Sequence, residues 1–442
     1  MLTAAVYLPA LAHPFVYDDF SAVVGRPLLG LYLLVTPRAA TVLSYALDRA
    51  LGGVQPFAYH ATNLGLHLLN VLLLRRLVAR WAPGKPSVAL SAALLFAVHP
   101  LCGEAVRYAS ARAGILCLAF MLLATLARPR SALAALALLA CALLSKESAA
   151  MLPIVWLLED AWLEPDAALR ARRLRRFHLP LLTLVGALGI ARLTLFARLE
   201  GGTTRAYAAH LATQAVVFWR YVRLGLAPVG LTIWHAPLRV TTVATALAAG
   251  GLIALAATIF VLRRRAPAAA FGIAWFLLFL APSSLVPLKE AMAEHRVYEA
   301  APGLLVAVAF ALSSIGWSAW TRRCVTAALV LLLGGLALQR GATWSSPDAL
   351  WSAAVDRAPL AWPPRYALGD ARRVAGDCPG AVAAYRAALQ LAPGEARIHV
   401  NLGICLEQLG DRNGAERAFR TAVALDPESA VARRDLDELL QH

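Results

Sequence analysis

Residues 59–81 read YHATNLGLHLLNVLLLRRLVARW. Positions 59–78 make an apolar run of the length that crosses a bilayer as a helix, about 17 to 25 residues, and the far end carries Arg75, Arg76 and Arg80. His60, Asn63, His67 and Asn70 recur at spacings of three, four and three, which puts them on one helix face. In lipid such a stripe has to face protein or a cavity, and interhelical hydrogen bonding is the plainer reading. None of these histidines has a carboxylate or Cys partner at metal-ligand spacing, so no metal is expected.

Working outward, similar runs lie at 1–16, 87–101, 113–127, 131–145, 148–160, 178–197, 242–262, 268–282, 300–317 and 324–340, so eleven spans are expected. The first run lacks a basic leader and a clear cleavage site and reads as a short span, not a signal peptide. Composition agrees: of 442 residues 60% are hydrophobic and 15% charged, against about 25% charged in soluble domains. The net charge of +16 could suggest nucleic acid. However, residues 341–442 hold 11 Arg against 13 Asp and Glu, a net of −2, so the apolar part carries +18. Its basic clusters (Arg75 to Lys85; Arg128 and Arg130; Arg170 to Arg176; Arg263 to Arg265; Arg322 and Arg323) occupy alternate gaps and set topology. The reading is N-terminus inside, C-terminus outside, with no nucleic-acid partner and with membrane lipid as surroundings. Residues 211–230 contain Arg220 and Arg223 and are read as an amphipathic interfacial segment. Cationic side chains are nearly all Arg, with Lys only at 85, 146 and 289, and the Ala, Leu and Arg bias hints at a bacterial inner membrane. The six Cys have no paired spacing and read as packing residues.

From 343 the texture becomes that of soluble helices, and Pro359, Pro393 and Pro427 reveal a 34-residue period. Leu402, Gly403, Ala415, Phe419, Ala422 and Pro427 in 396–429 are matched by Leu368, Gly369, Ala381, Tyr385, Ala388 and Pro393 in 362–395. This is the tetratricopeptide pattern. A half repeat at 346–359 and a polar capping helix at 430–441 complete it. The domains are thus 1–342 and 343–442, an all-α membrane bundle followed by a short solenoid.

The gaps left on the outer side, 17–58, 101–112, 145–147, 198–241 and 283–299, hold the candidate chemistry. Asp18 and Asp19 follow the first span directly, where an ionised carboxylate is costly. Neighbouring carboxylates point apart, so one can act as general base while the other orients. Glu104 is a second candidate acid, and Arg107 and Arg112 could clamp a phosphate, with His99 beside them. Lys146 with Glu147, and Glu294, His295, Arg296 and Tyr298, form two more groups; the alternative for each is a structural ion-pair network. LEGGTTRAY in the 198–241 gap is a further polar stretch.

These residues resemble the transmembrane and tetratricopeptide-repeat protein O-mannosyltransferases, of the GT-C glycosyltransferase fold. The resemblance rests on FVYDD, YHATNLGLHLLN, HP with a following Glu and Arg, SKES, EHRVY and the terminal repeats, in that order. It implies inverting transfer of a sugar from a polyprenyl-phosphate donor, a co-substrate in place of a cofactor, to a hydroxyl acceptor on the outer, periplasmic face. The first acid, Asp18, would take the acceptor proton, Asp19 would orient, and Arg or His groups would stabilise the lipid phosphate. An acceptor or partner protein would dock in the repeat groove. The chain departs from the pattern at Gly25, Gly114 and Glu299, where relatives often carry Asn, Asp and an apolar residue. A non-catalytic repeat scaffold for envelope assembly is the competing reading; a transporter would call for internal symmetry, which is not found.

Overall fold

A computed structural model describes residues 2–25, 30, 36–199, 207–238, 240–288 and 290–441, and all regular structure among them is helical. Lys289 and the centre of LEGGTTRAY lie outside the described residues. The chain divides into two compact units, Met1–Leu231 with Pro237–Gly341, and Thr232–Ala236 with Ala342–His442.

In the first unit the helices run α1 Leu2–Tyr7, α2 Ala39–Gly52, α3 Pro56–Trp81, α4 Pro86–Val98, α5 Pro100–Arg107, α6 Arg112–Ala127 and α7 Ala132–Leu143. They continue as α8 Leu152–Leu163, α9 Ala167–Arg173, α10 Leu179–Leu199, α11 Tyr207–Leu226, α12 Thr242–Arg265, α13 Pro267–Leu285, α14 Ala301–Ser314 and α15 Ala319–Ala342. Proline at the first turn starts α3, α4, α5 and α13, where its missing N–H is no loss. Ser131 and Thr241 side chains cap α7 and α12. The expected apolar runs fall largely on helix, although 13–16 and 315–317 are not helical. Among the described residues, Ala109–Ala127, Thr242–Arg265, Pro267–Leu285 and Ala319–Ala342 are each long and apolar enough to cross a membrane by themselves.

The run expected at 87–101 ends as helix at Val98, and α4 and α5 meet at a 55° bend. Pro100 is the cause, because the residue before a proline is pushed out of the helical region; His99 is extended there (φ −67°, ψ 125°). The 211–230 segment forms α11, whose buried Thr213, Gln214, Val217, Phe218, Tyr221 and Leu224 lie opposite exposed Arg220 and Arg223. It is two-faced, as expected of an amphipathic segment. Helices α13 and α14 touch backbone to backbone, since a Cβ on Gly272 would lie 2.6 Å from the Gly303 carbonyl. Small residues permit such approach in membrane bundles, and this pairing fixes both ends of the 286–300 loop.

The polar stripe of α3 faces protein. His60, Asn63, His67 and Asn70 are all fully buried. Asn63 donates to the Ala105 and Tyr108 carbonyls, Asn70 to the Ile115 carbonyl, and His67 Nδ1 lies 2.7 Å from the Tyr298 hydroxyl. The far ends of α3, α6 and α8 join in an ionic network that the sequence reading did not anticipate. Buried Glu159 takes Arg80, the Trp81 indole N–H (2.8 Å) and Arg128 (2.8 Å). Buried Asp160 takes Arg128 (2.8 Å), Arg173 (2.9 Å) and His178 (2.8 Å).

In the second unit, α16 Pro347–Arg357 precedes two helical hairpins, α17 Trp362–Val374 with α18 Cys378–Leu389 and α19 Ala396–Gln408 with α20 Arg412–Leu425. Helix α21 Ala430–Gln441 closes the array. The hairpins repeat in detail. Gly376 and Gly410 take the left-handed conformation at the turns (φ 82° and 80°). Asp377 and Asp411 then cap the next helix by accepting from the Gly380 and Gly414 N–H groups at 2.9 and 2.8 Å. The small and large positions of the 34-residue pattern interlock: a Cβ on Gly369 would meet the Tyr385 ring at 2.5 Å, and one on Gly403 the Phe419 ring at 2.6 Å.

Candidate functional site

The acidic pair sits on a turn made by Tyr17, which among the described residues is the one non-glycine with positive φ (50°). An aromatic side chain is disfavoured in that region, and such strain persists where the surroundings enforce it. The turn separates the two carboxylates. Asp19 points inward and is fully buried, its Oδ2 accepting from the Val16 N–H (3.1 Å) and its Oδ1 from the Ser110 N–H (2.7 Å). Burial pushes its carboxyl up to about 7, against the pull of these N–H bonds. Asp18 is exposed, and its backbone N–H donates to the Tyr108 hydroxyl at 3.1 Å. Burial, with the charges of Asp18 and Asp19, raises the Tyr108 phenol far above its ordinary value. Asp19 therefore staples the 17–25 turn to the 108–110 turn, and Asp18 faces out.

Helix α5 delivers Glu104 to the same region. Its carboxylate is 3% exposed and accepts from both the His295 backbone N–H (3.2 Å) and His295 Nδ1 (2.8 Å). The His295 side chain is 31% exposed. Burial first, then the Lys146 and Arg296 charges, lowers its imidazole to about 4, so it is neutral at pH 7. A neutral ring that donates Nδ1–H to Glu104 keeps Nε2 as an acceptor. Arg296 donates to the Glu290 carbonyl at 2.8 Å. Burial raises the Glu290 carboxyl, Arg296 and His295 oppose it, and Glu104 and Asp18 push it up again, so these acids share one field. Glu290 was missed in the sequence because nothing sets it apart within a polar loop. Helix α11 buttresses the loop: the Tyr221 hydroxyl bonds the Ala293 backbone at 3.0 Å and Gln214 donates to the Ala291 carbonyl at 2.9 Å.

The SKES turn brings a third group. Lys146 Nζ lies 2.7 Å from Glu299 Oε1, which also accepts from the Ser148 hydroxyl at 3.0 Å. Glu147 pairs with Arg38 at 3.1 Å, both partly exposed. Two of the three departures from the family pattern meet here, since a Cβ on Gly114 would lie 3.4 Å from the Glu299 carboxylate.

Other expected site residues are not brought into this group. Arg107 and Arg112 do not form a clamp, because each guanidinium is buried with different partners. Arg112 pairs with Asp48, donates to Asn63 Oδ1 (2.7 Å) and the Tyr59 carbonyl (2.9 Å), and stacks on Tyr45. Arg107 donates to the Ala337 carbonyl (2.8 Å) and lies 4.8 Å from the Tyr7 ring centre. Burial and Arg340 lower it to about 10. His99 serves as a helix cap, Nδ1 accepting from the Leu101 N–H (3.2 Å) and Nε2 lying 3.0 Å from the Gly225 carbonyl. Tyr298 belongs to the α3 stripe, and Glu294 is buried 3.8 Å from Arg340. Asp48, the acid that claims Arg112, was invisible in the sequence because it lies mid-way along an unremarked helix.

The arrangement left at the surface is an exposed carboxylate, a half-open neutral imidazole and two cations, Lys146 and Arg296. Buried acids stand behind His295 and Lys146. Such a set can accept a proton and neutralise a developing anion.

Residues 366–436 match the tetratricopeptide repeat family. The protein O-mannosyl-transferase TMTC1 of Mus musculus is 40% identical over 94 residues, 21% of this chain and 10% of that protein. Tmtc1 of Drosophila melanogaster is 33% identical over 176 residues, 34% of the chain and 20% of that protein. TMTC3 of Homo sapiens is 32% identical over 150 residues, 29% of the chain and 16% of that protein. The chain thus matches a tenth to a fifth of the length of these curated relatives.

Proposed function

From its tetratricopeptide repeats and its partial similarity to the TMTC proteins, we propose that the chain is an integral-membrane glycosyltransferase that moves a sugar from a polyprenyl-phosphate donor to a hydroxyl acceptor, a protein Ser or Thr. The observation that carries this reading is the exposed Asp18 on its strained turn, in one field with Glu104, His295, Arg296 and Glu290. In the proposed step Asp18 takes the acceptor's O–H proton, the oxygen attacks the anomeric carbon from the face opposite the phosphate, and the carbon–phosphate oxygen bond breaks. The electron pair leaves on the lipid phosphate, whose charge Lys146 and Arg296 offset. Configuration inverts. Asp19 orients the turn, and Glu104 orients His295. The repeats dock the acceptor.

In the membrane we propose eleven spans with the N-terminus inside and the repeats on the outer side, so that the site loops open outward. Reporter fusions after residues 85, 176, 265 and 323 should read cytoplasmic and a fusion after 345 external; a cytoplasmic signal from the repeats ends this topology. The function is tested by glycoproteomics of a deletion strain complemented with wild type or Asp18→Asn. Loss of a set of O-linked glycopeptides that only the wild type restores is expected. Unchanged glycopeptides alongside altered envelope complexes would favour the scaffold reading.

A further inference from the structure

Glu299 is a carboxylate with an unusual seat. Its side chain is 1% exposed, and its backbone is pinned by the Trp275 indole N–H at 2.8 Å. One oxygen, Oε1, holds both the Lys146 ammonium at 2.7 Å and the Ser148 hydroxyl at 3.0 Å. The other, Oε2, is buried and has no hydrogen-bond partner among the described residues. Space for the carboxylate exists because residue 114 is glycine: a Cβ there would stand 3.4 Å from Cδ, Oε1 and Oε2 alike. Burying a carboxylate is costly unless a cation and hydrogen bonds compensate it. Here the compensating cation is 16% exposed and is one of three lysines in the chain. The helix-starting turn 147–151 and Cys117, whose Sγ is 3.9 Å from the Lys146 carbonyl and 3.8 Å from Ser148 Oγ, close the seat on its other side.

We infer that Glu299 is a positioning residue, whose buried carboxylate in the space left by Gly114 fixes the Lys146 ammonium at the mouth of the outer-loop site. The use of that ammonium on a lipid phosphate rests on the transferase reading; the fixing of Lys146 does not, and the two are tested separately. Without the carboxylate, the ammonium of Lys146 loses the group that holds it in place.

The test uses the full-length protein in nanodiscs and the rate at which Lys146 is acylated by an amine reagent at pH 7.5, read by peptide mass spectrometry with exposed Lys85 as internal reference. Glu299→Ala should raise the Lys146 rate about tenfold, the size of one charge-assisted hydrogen bond. The geometry offers a charge-specific rescue. In Gly114→Asp with Glu299→Ala, a carboxylate enters the same space from the other side, and the rate should return to within about twofold of wild type. Gly114→Asn with Glu299→Ala restores volume without charge and should stay fast. Where Glu299→Ala does not fold, Glu299→Gln carries the same comparison. Unchanged labelling in a folded Glu299 variant, or rescue by Asn as full as by Asp, overturns the proposal. If labelling behaves as expected while Glu299→Gln transfers sugar at the wild-type rate, Lys146 is fixed but unused, and the phosphate role alone is lost.

Discussion

The two ends of α3, α6 and α8 carry dense groups of charge, built in opposite ways. At one end Glu159 and Asp160 receive Arg80, Arg128, Arg173, Trp81 and His178, and all four carboxylate oxygens have donors. That network is closed and saturated with cations. At the other end buried Glu104 and Glu299 each hold a group that reaches outward, His295 and Lys146, while Asp18 stands exposed beside them. Charge density alone therefore does not mark a site in a membrane bundle. Open groups backed by buried acids are the stronger candidates, because the buried acid fixes what the open group presents.

The comparison is broken most strongly at the closed end. Asp160→Ala leaves Arg128, Arg173 and His178 without their shared acid, and removing one partner of a buried pair costs about 3–5 kcal/mol. Thermal melts in nanodiscs should show this loss, with transfer by the surviving folded fraction unchanged. At the open end the balance reverses: Glu104→Gln keeps an acceptor for His295 and should leave the melt alone while transfer falls about tenfold to a hundredfold. A melt shift as large as that of Asp160→Ala would mean the two ends do the same job. Arg296→Ala is expected to be milder, since its recorded partner is a carbonyl and not an acid. The donor KM should rise about fivefold with kcat less affected.

The smallest effect is on pH dependence, where two outer-loop groups act with opposite sign. Asp19, raised to about 7 from 3.8, contributes stability that is complete below 3.8 and is lost as pH rises through about 7. His295, lowered from 6.5 to about 4, contributes stability that is present above 6.5 and lost as pH falls through about 4. In the wild type the two slopes oppose each other between pH 4 and 6.5. Melts of Asp19→Asn should therefore gain stability with rising pH across that range, and melts of His295→Gln should lose it. Parallel curves for both variants would contradict the burial assigned to these groups.

Hydropathy and period made most of the fold legible. The solenoid was readable because Gly369 and Gly403 each stand 16 residues before the ring that fills their space, Tyr385 and Phe419. The α3 stripe was readable because helical spacing and lipid leave polar side chains nowhere else to turn. In the candidate site, the loops that supply it were visible, but the direction of each side chain was not. Whether Arg112 faces a ligand or the core depends on Asp48, a residue 64 positions away with no local mark. The divergence of Asp18 and Asp19 depends on a left-handed Tyr17, which no propensity favours. Glu159 and Asp160 were a signal left unread: two acids closing an apolar run ask for cations, and the arginine clusters that set topology also supply them.

Asp18 is the proposed base of an outer-face transfer reaction, and one rate tests that role. Purified protein in nanodiscs, given a polyprenyl-phosphate-linked sugar and a Ser/Thr peptide, should lose at least about a hundredfold of its initial transfer rate on Asp18→Asn, with melting and carrier binding unchanged. A folded Asp18→Asn, Asp19→Asn double variant that transfers the sugar at the wild-type rate would contradict this assignment of the base.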